Sequence, residues 1–293
     1  GRLTACGSLA RLLETALDCL GSEFAIDHVM LLMHDEGRGR LYTLASRGYP
    51  ESGIGSEIPI GAGIIGICAR ERIPIRIGFM TSEYGYGRTI RRSVEADGQG
   101  DSLETAIPLP GLPEAGSQMA IPVTAFDHLL GVLYMENVAD LHFGYDDEDA
   151  LVAFAAQLGL AMHHHQQTEE QAEDAPPAET ATAPPAGPPL LVRHFAANDS
   201  VFLDDDYLIK GVAGAILWTL LSDFVERRRT SFTNKGLRVD PRIRLPGVSD
   251  NLEARLVLLQ RRLEERAAGI HLSKAGRGRF SLAVDRPLQL VSG

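Results

Sequence analysis

Cys68 sits in the run IGSEIPIGAGIIGICARERIPIRI, whose glycines Gly61, Gly63 and Gly66 invite a phosphate-loop reading. The run lacks the Gly-Lys-Ser/Thr ending that would set an ammonium and a hydroxyl on a nucleotide, so that reading is rejected. The thiol is either a packed core residue or a redox or cofactor-attaching cysteine, and the sequence leaves both open. Further along, Tyr84 and Tyr86 offer rings to stack on a planar ligand, and Arg88, Arg91 and Arg92 offer guanidiniums to a carboxylate or phosphate; the plainer alternative is a solvated basic face. Consecutive histidines point in different directions around a helix, so His163, His164 and His165 cannot share one metal. The sequence holds no nucleophile elbow, zinc-binding His-Glu-x-x-His, kinase signature or phosphate loop, and it reads as a non-enzyme with no metal site.

These side chains need elements to hold them, and the strongest are in residues 117–137, SQMAIPVTAFDHLLGVLYMEN. The stretch predicts two adjacent strands joined at Phe126-Asp127-His128. The second strand is apolar in both registers (Leu130, Val132 and Tyr134 against Leu129, Leu133 and Met135), so it must be covered on both faces, by helices on one and by a cavity or lid on the other. At Gly131 the missing side chain lets something approach the backbone closely. FGYDDEDALVAFAAQLGLAM then opens with acidic residues and spaces Leu151, Phe154, Leu158 and Met162 as an amphipathic helix. Upstream, residues 8–20 predict a first helix with Leu9, Leu12, Leu13, Ala16 and Leu20 on its buried stripe. HVMLLMHDEGRGRLYTLASRGYP predicts a hairpin. Residues 79–116 hold no strong periodicity, and a loop that long is functional or disordered.

Together these segments resemble a GAF domain, in which a strand like GVLYLEN leads through Phe and Asp-Glu into the last helix. The resemblance implies a ligand cavity covered by the 79–116 insert, with Cys68, Tyr84, Tyr86, Arg88, Arg91 and Tyr134 as ligand-binding residues. Asn137, Phe143, Asp147 and Glu148 echo the Asn-Lys…Phe-x-x-x-Asp-Glu motif of cyclic-nucleotide-binding members. Val138 stands where that motif has lysine, so its Lys–Asp ion pair cannot form.

Residues 166–189 are rich in Ala, Pro, Glu, Gln and Thr and predict a semi-extended linker. Beyond it, short strands precede the helix GVAGAILWTLLSDFVERR. A second short helix, a well-capped third one in SDNLEARLVLLQRRLEER and a hairpin with a Gly-Arg-Gly-Arg tip complete the order. This succession resembles the winged-helix output domain of response regulators, which implies that the third helix and the hairpin contact DNA through Arg255, Arg261, Arg262, Lys274, Arg277 and Arg279. A 100° projection puts Leu252, Leu256, Leu259 and Leu263 on the third helix's buried face and Ala254, Val257, Leu258, Arg261 and Glu265 on its outer face. Aliphatic Val257 and Leu258 suit a protein partner better than bases.

The net charge of −11 conceals an asymmetry: residues 1–189 carry −16 and residues 190–293 carry +5, so a polyanion would meet the second half. A 44% hydrophobic content without an apolar run of membrane length predicts a soluble chain with no membrane association. Three cysteines fit no disulfide framework and point to a reducing cytoplasm; no signal peptide is evident, and the start at Gly1 without Met reads as a trimmed chain. The expected fold is α+β, with a GAF-like antiparallel sheet flanked by helices at 1–165, a linker at 166–189 and a winged helix-turn-helix domain at 190–293. The expected function is a cytoplasmic, signal-responsive transcription regulator with a small-molecule ligand in its cavity, DNA as its target and a homodimeric state. The alternative is a non-enzymatic adaptor whose winged helix binds protein. No cofactor can be named.

Overall fold

The computed structural model describes residues 2–3, 6–80, 107–170, 187–245 and 251–293. They form two compact units, Gly1–His163 and His164–Gly293.

In the first unit, β1 (His28–Asp35) and β2 (Arg40–Arg47) make the expected hairpin, joined by a 3-10 turn at Glu36–Arg38. Then follow β3 (Glu57–Pro59), α2 (Gly63–Glu71) and β4 (Ile75–Ile77), with α1 (Leu9–Glu23) before them all. Ser8 starts α1 by accepting a hydrogen bond from Arg11 N at 3.3 Å, a cap that satisfies one orphan donor of the first turn. The second hairpin is β5 (Ser117–Ala125) and β6 (His128–Asn137), turned by Phe126 and Asp127 at φ 46° and 63°. Two positive φ angles in a two-residue loop match the right-handed twist of the strands they join.

All six strands pair antiparallel in the order β3-β2-β1-β6-β5-β4, so β1 and β6 are central. That position explains their sequences. Met30, Leu32, Val132 and Tyr134 are buried on one face and Leu31, Met33, Leu133 and Met135 on the other, as strands covered on both sides require. Gly131 lies opposite Met33 of β1 and Val123 of β5, and an ideal Cβ there would stand 2.0 Å from the Leu32 carbonyl oxygen. The close approach read from the sequence is therefore that of the neighbouring main chain.

The last helix of the unit, α3 (Tyr145–Glu170), opens on Asp146, Asp147 and Glu148, and Asp147 Oδ2 accepts from Gly144 N at 2.8 Å. It runs past Met162, the last residue of the expected spacing, and on through Glu170 into the residues expected to be linker. Gln166 to Glu170 contain no Gly or Pro to stop the ladder, and Thr168 Oγ1 bonds back to the His164 carbonyl at 2.8 Å.

The second unit begins with β7 (Leu190–Phe195), β8 (Ser200–Leu203) and β9 (Asp206–Ile209), an antiparallel meander, followed by α4 (Gly211–Arg227). Then come β10 (Ser231–Thr233), α5 (Asn234–Arg238) and α6 (Leu252–Glu265), the hairpin β11 (Ile270–Gly276) and β12 (Arg279–Val284), and β13 (Leu288–Ser292). One sheet has the order β10-β12-β11. In the other, β13 joins the meander by pairing parallel to β7. Neither β10, three residues long, nor β13 was read from the sequence.

Helix α6 corrects its projection. Ala254, Val257 and Leu258 are buried and Leu256 is half-exposed, whereas a single-faced helix would show the reverse. The helix packs against α4, β11, β9 and α5 at once, so no broad side of it is left open.

Candidate functional site

One face of the first unit's sheet meets α2 over an apolar cluster. Met30, Leu32, Leu41, Ala120, Val132 and Tyr134 rise from the sheet, and Ile64, Ile65, Cys68 and Ala69 descend from the helix. Half-buried Ile58, Ile60, Ile75, Ile77 and Leu109 rim it. At one end the apolar surface gives way to a buried carboxylate. Strand period two puts Glu136 on the face of Val132 and Tyr134. Its Oε1 accepts from Tyr134 Oη at 2.7 Å and Gln118 Nε2 at 3.1 Å, and its Oε2 accepts from Leu112 N at 2.9 Å. A buried carboxylate requires this many donors. The Leu112 bond also ties the segment ahead of β5 to the sheet.

Of the sequence-predicted ligand residues, Cys68 and Tyr134 meet in this cluster, while Tyr84, Tyr86, Arg88, Arg91 and Arg92 lie outside the described residues. Glu136 and Gln118 were missed. The signal was there, since a glutamate two residues after Tyr134 in a strand otherwise apolar on both faces has to be explained.

Burial pushes the Cys68 thiol up to about 12, so at neutral pH it is protonated and unreactive, because the thiolate is the nucleophile. In the native protein at pH 8, iodoacetamide should leave Cys68 unmodified while urea exposes it to full alkylation. Peptide mass spectrometry reads both states, and rapid native labelling would remove the buried-thiol assignment.

At the β4 edge of the sheet, an ion pair forms that does not use position 138. Arg76 of β4 donates from Nε to Glu148 Oε2 at 2.9 Å and from Nη1 to the Phe143 carbonyl at 3.2 Å, with its Cζ 4.2 Å from the Tyr145 ring centroid. The start of α3 is thus held to the edge strand by a cation from elsewhere in the chain. The hydrogen bond and charge of Glu148 hold the Arg76 guanidinium above its ordinary range against desolvation.

In the second unit the six cations assigned to DNA are separated by the fold. Arg255 and Arg262 are buried, which corrects their assignment to phosphate. Arg262 donates from Nε and Nη2 to the Leu208 carbonyl, each at 3.1 Å, and from Nη1 to Glu265 at 2.9 Å. Desolvation lowers its pKa from the ordinary arginine value. Lys274 Nζ is 3.1 Å from Glu253. Arg261 and Arg279 are half-exposed and Arg277, at the hairpin tip, is exposed. Among the described residues, no helix is long and apolar enough to cross a membrane.

The model of the GAF domain family matches residues 8–162. No curated protein matches the sequence. Among similar solved structures are the GAF domain of an Acinetobacter phosphoenolpyruvate-protein phosphotransferase, 21% identical, covering 55% of this chain and 86% of that one with a TM-score of 0.42. Free methionine-R-sulfoxide reductase from Neisseria meningitidis in complex with its substrate is 17% identical, with coverages of 56% and 84% and a TM-score of 0.42. The GAF-B domain of DevS from Mycobacterium smegmatis is 18% identical, with coverages of 55% and 96% and a TM-score of 0.38. The expectation of a non-enzyme is corrected by the second of these, an enzyme among the similar folds. At such identities the likeness concerns fold and gives this chain no activity of its own.

Proposed function

Since its residues 8–162 make this chain a member of the GAF domain family, a family typical of signal sensing, we propose that it is a signal-responsive regulator whose second unit acts on DNA. The sensing element is assigned to the rim of the sheet–α2 cluster, where half-buried Ile58, Ile60, Ile75, Ile77 and Leu109 border its buried residues. The observation that carries the DNA reading is the second unit's succession of α4, β10, α5, α6 and a β11–β12 hairpin in a β10-β12-β11 sheet, with Arg277 exposed at the tip. This succession resembles the order of a winged helix, three helices followed by a basic hairpin. Three free cysteines agree with a reducing, cytoplasmic setting. A homodimer is supported by the exposed line Val152, Ala156 and Leu160 on α3, spaced as one helical stripe. The sensor, linker and output domains are assigned to 1–165, 166–189 and 190–293; within the linker, residues 166–170 continue α3 and residues 171–186 lie outside the described ones.

The alternative is an adaptor docking protein on α6. It needs Val257 and Leu258 outward, and both are buried. Titration of the full chain with duplex DNA at a series of salt concentrations tests the choice. Binding should weaken as salt rises, and changing Arg277 and Arg279 together to Ala should weaken it for every sequence and flatten the slope of log affinity against log salt by about 2. A wild-type chain that ignores DNA at low salt would end the DNA reading.

A further inference from the structure

The positive charge of the second unit is concentrated in one place. Residues 223–245, which include the carboxylate that organises them, hold seven Lys/Arg and three acidic residues, a net +4, so the rest of residues 190–293 sums to +1. This segment runs from the end of α4 through β10 and α5 to Leu245. A buried carboxylate organises it. Asp223, with its side chain 1% exposed, accepts from Arg242 Nη1 at 2.8 Å and Arg229 Nη1 at 3.2 Å, with Arg227 Nη1 at 3.6 Å. Arg242 also grips Asp240, and Arg229 lies over the Phe232 ring at 4.6 Å and donates to the Ser231 carbonyl at 3.1 Å. These two arginines pin the turn after α5 to the end of α4. Arg227, Arg228 and Arg244 are exposed beside them.

The same segment adjoins the hairpin tip. Thr233 of β10 is in register with Arg279 of β12, and Asn234 N donates to the Gly278 carbonyl at 2.8 Å. Residues 233 and 234 of this segment therefore adjoin the hairpin tip that carries Arg277. By contrast, α6 buries two of its own arginines.

From this we infer that the DNA-binding face of the second unit is centred on residues 227–245, with Arg227, Arg228 and Arg244 contacting the phosphate backbone and α6 serving as its support. The inference rests on the DNA reading above. Phosphate is favoured over a protein because a protein interface is built around an apolar core, and Val239 is the one exposed large apolar side chain among the described residues 227–245. Guanidinium forks suit phosphate oxygens.

The test uses the full chain, a random-sequence duplex and anisotropy titrations at several salt concentrations. The triple variant Arg227→Gln, Arg228→Gln, Arg244→Gln changes exposed side chains, of which Arg227 alone reaches the Asp223 cluster, at 3.6 Å, so its melting temperature should fall only slightly. It should flatten the log–log salt slope by about 3, more than the hairpin double variant, because each neutralised phosphate adds about 0.9. If the triple variant fails to fold, Arg244→Gln alone should still lower the slope by about 0.9. Wild-type affinity and slope in these variants, with binding lost only in Arg277/Arg279 variants, would overturn the inference and leave the DNA reading standing. No wild-type binding at low salt would overturn both. Salt-dependent binding to polyglutamate but not to duplex DNA would assign the cations to an acidic protein instead.

Discussion

Replacing Asp223 by Ala should destabilise the second unit by about 2–3 kcal/mol, the range for removing one member of a hydrogen-bonded buried charge cluster. A fully buried pair would cost more. Here the side chains of Arg227, Arg229 and Arg242 are 65%, 44% and 41% exposed, so water recovers part of the loss. The same carboxylate sets a pH dependence. Burial opposes its ionisation, but the hydrogen bond and charge of Arg242, helped by Arg229 and Arg227, outweigh it and hold the carboxyl below its usual range. Asp240 is lowered too, chiefly by its bond from Arg242. A depressed folded-state pKa stabilises above the unfolded value near 4 and loses that contribution as pH falls through the folded value. The wild-type unit should therefore weaken below about pH 4, and Asp223→Ala should show a smaller acid loss. Trp218 is the protein's one tryptophan and stacks on His194 at 4.8 Å within this unit. Its emission during urea unfolding at pH 7 and pH 3 reads both effects, and equal midpoints at pH 7 would refute the cluster's role.

The other large effect belongs to the first unit. Gly131→Ala sets a methyl 2.0 Å from the Leu32 carbonyl oxygen and 3.3 Å from Met33 Cα. Both obstacles are backbone of the central strand, so no side-chain rotation relieves them, and β1 and β6 must separate. A cost of about 3 kcal/mol or more is expected, at the upper end for an added methyl in a packed core. Hydrogen exchange should show lost protection across residues 28–35 and 128–137 while the Trp218 transition stays in place. Wild-type protection at Leu32 and Leu133 would contradict this.

What the sequence made legible follows from how local the signals are. The hairpins at Phe126-Asp127 and Glu36–Arg38 and the helix opened by Asp146–Glu148 are written within a few residues of where they form. The two-sided burial of β6 follows from its composition alone. The Arg76–Glu148 pair spans 72 positions, and neither residue announces the other. Leu112 N reaches Glu136 from a segment without periodicity. The misprojected face of α6 has a different origin: helical spacing says which residues share a side but not how many neighbours press on the helix. Arg262 is an example, a cation at a helix end that reads as outward and instead serves the Leu208 carbonyl.

The parallel pairing of β13 with β7 also bears on how the second unit is made. Leu190 finds Leu288 only after α4, α5, α6 and the hairpin have been synthesised. Until then the outer edge of β7 is an unsatisfied row of amides and carbonyls, the kind of edge that recruits foreign strands. A pairing across about a hundred residues carries a loop-closure cost that slows the step. Closing the sheet therefore waits on the C-terminal strand, which competes with any other chain for the same edge.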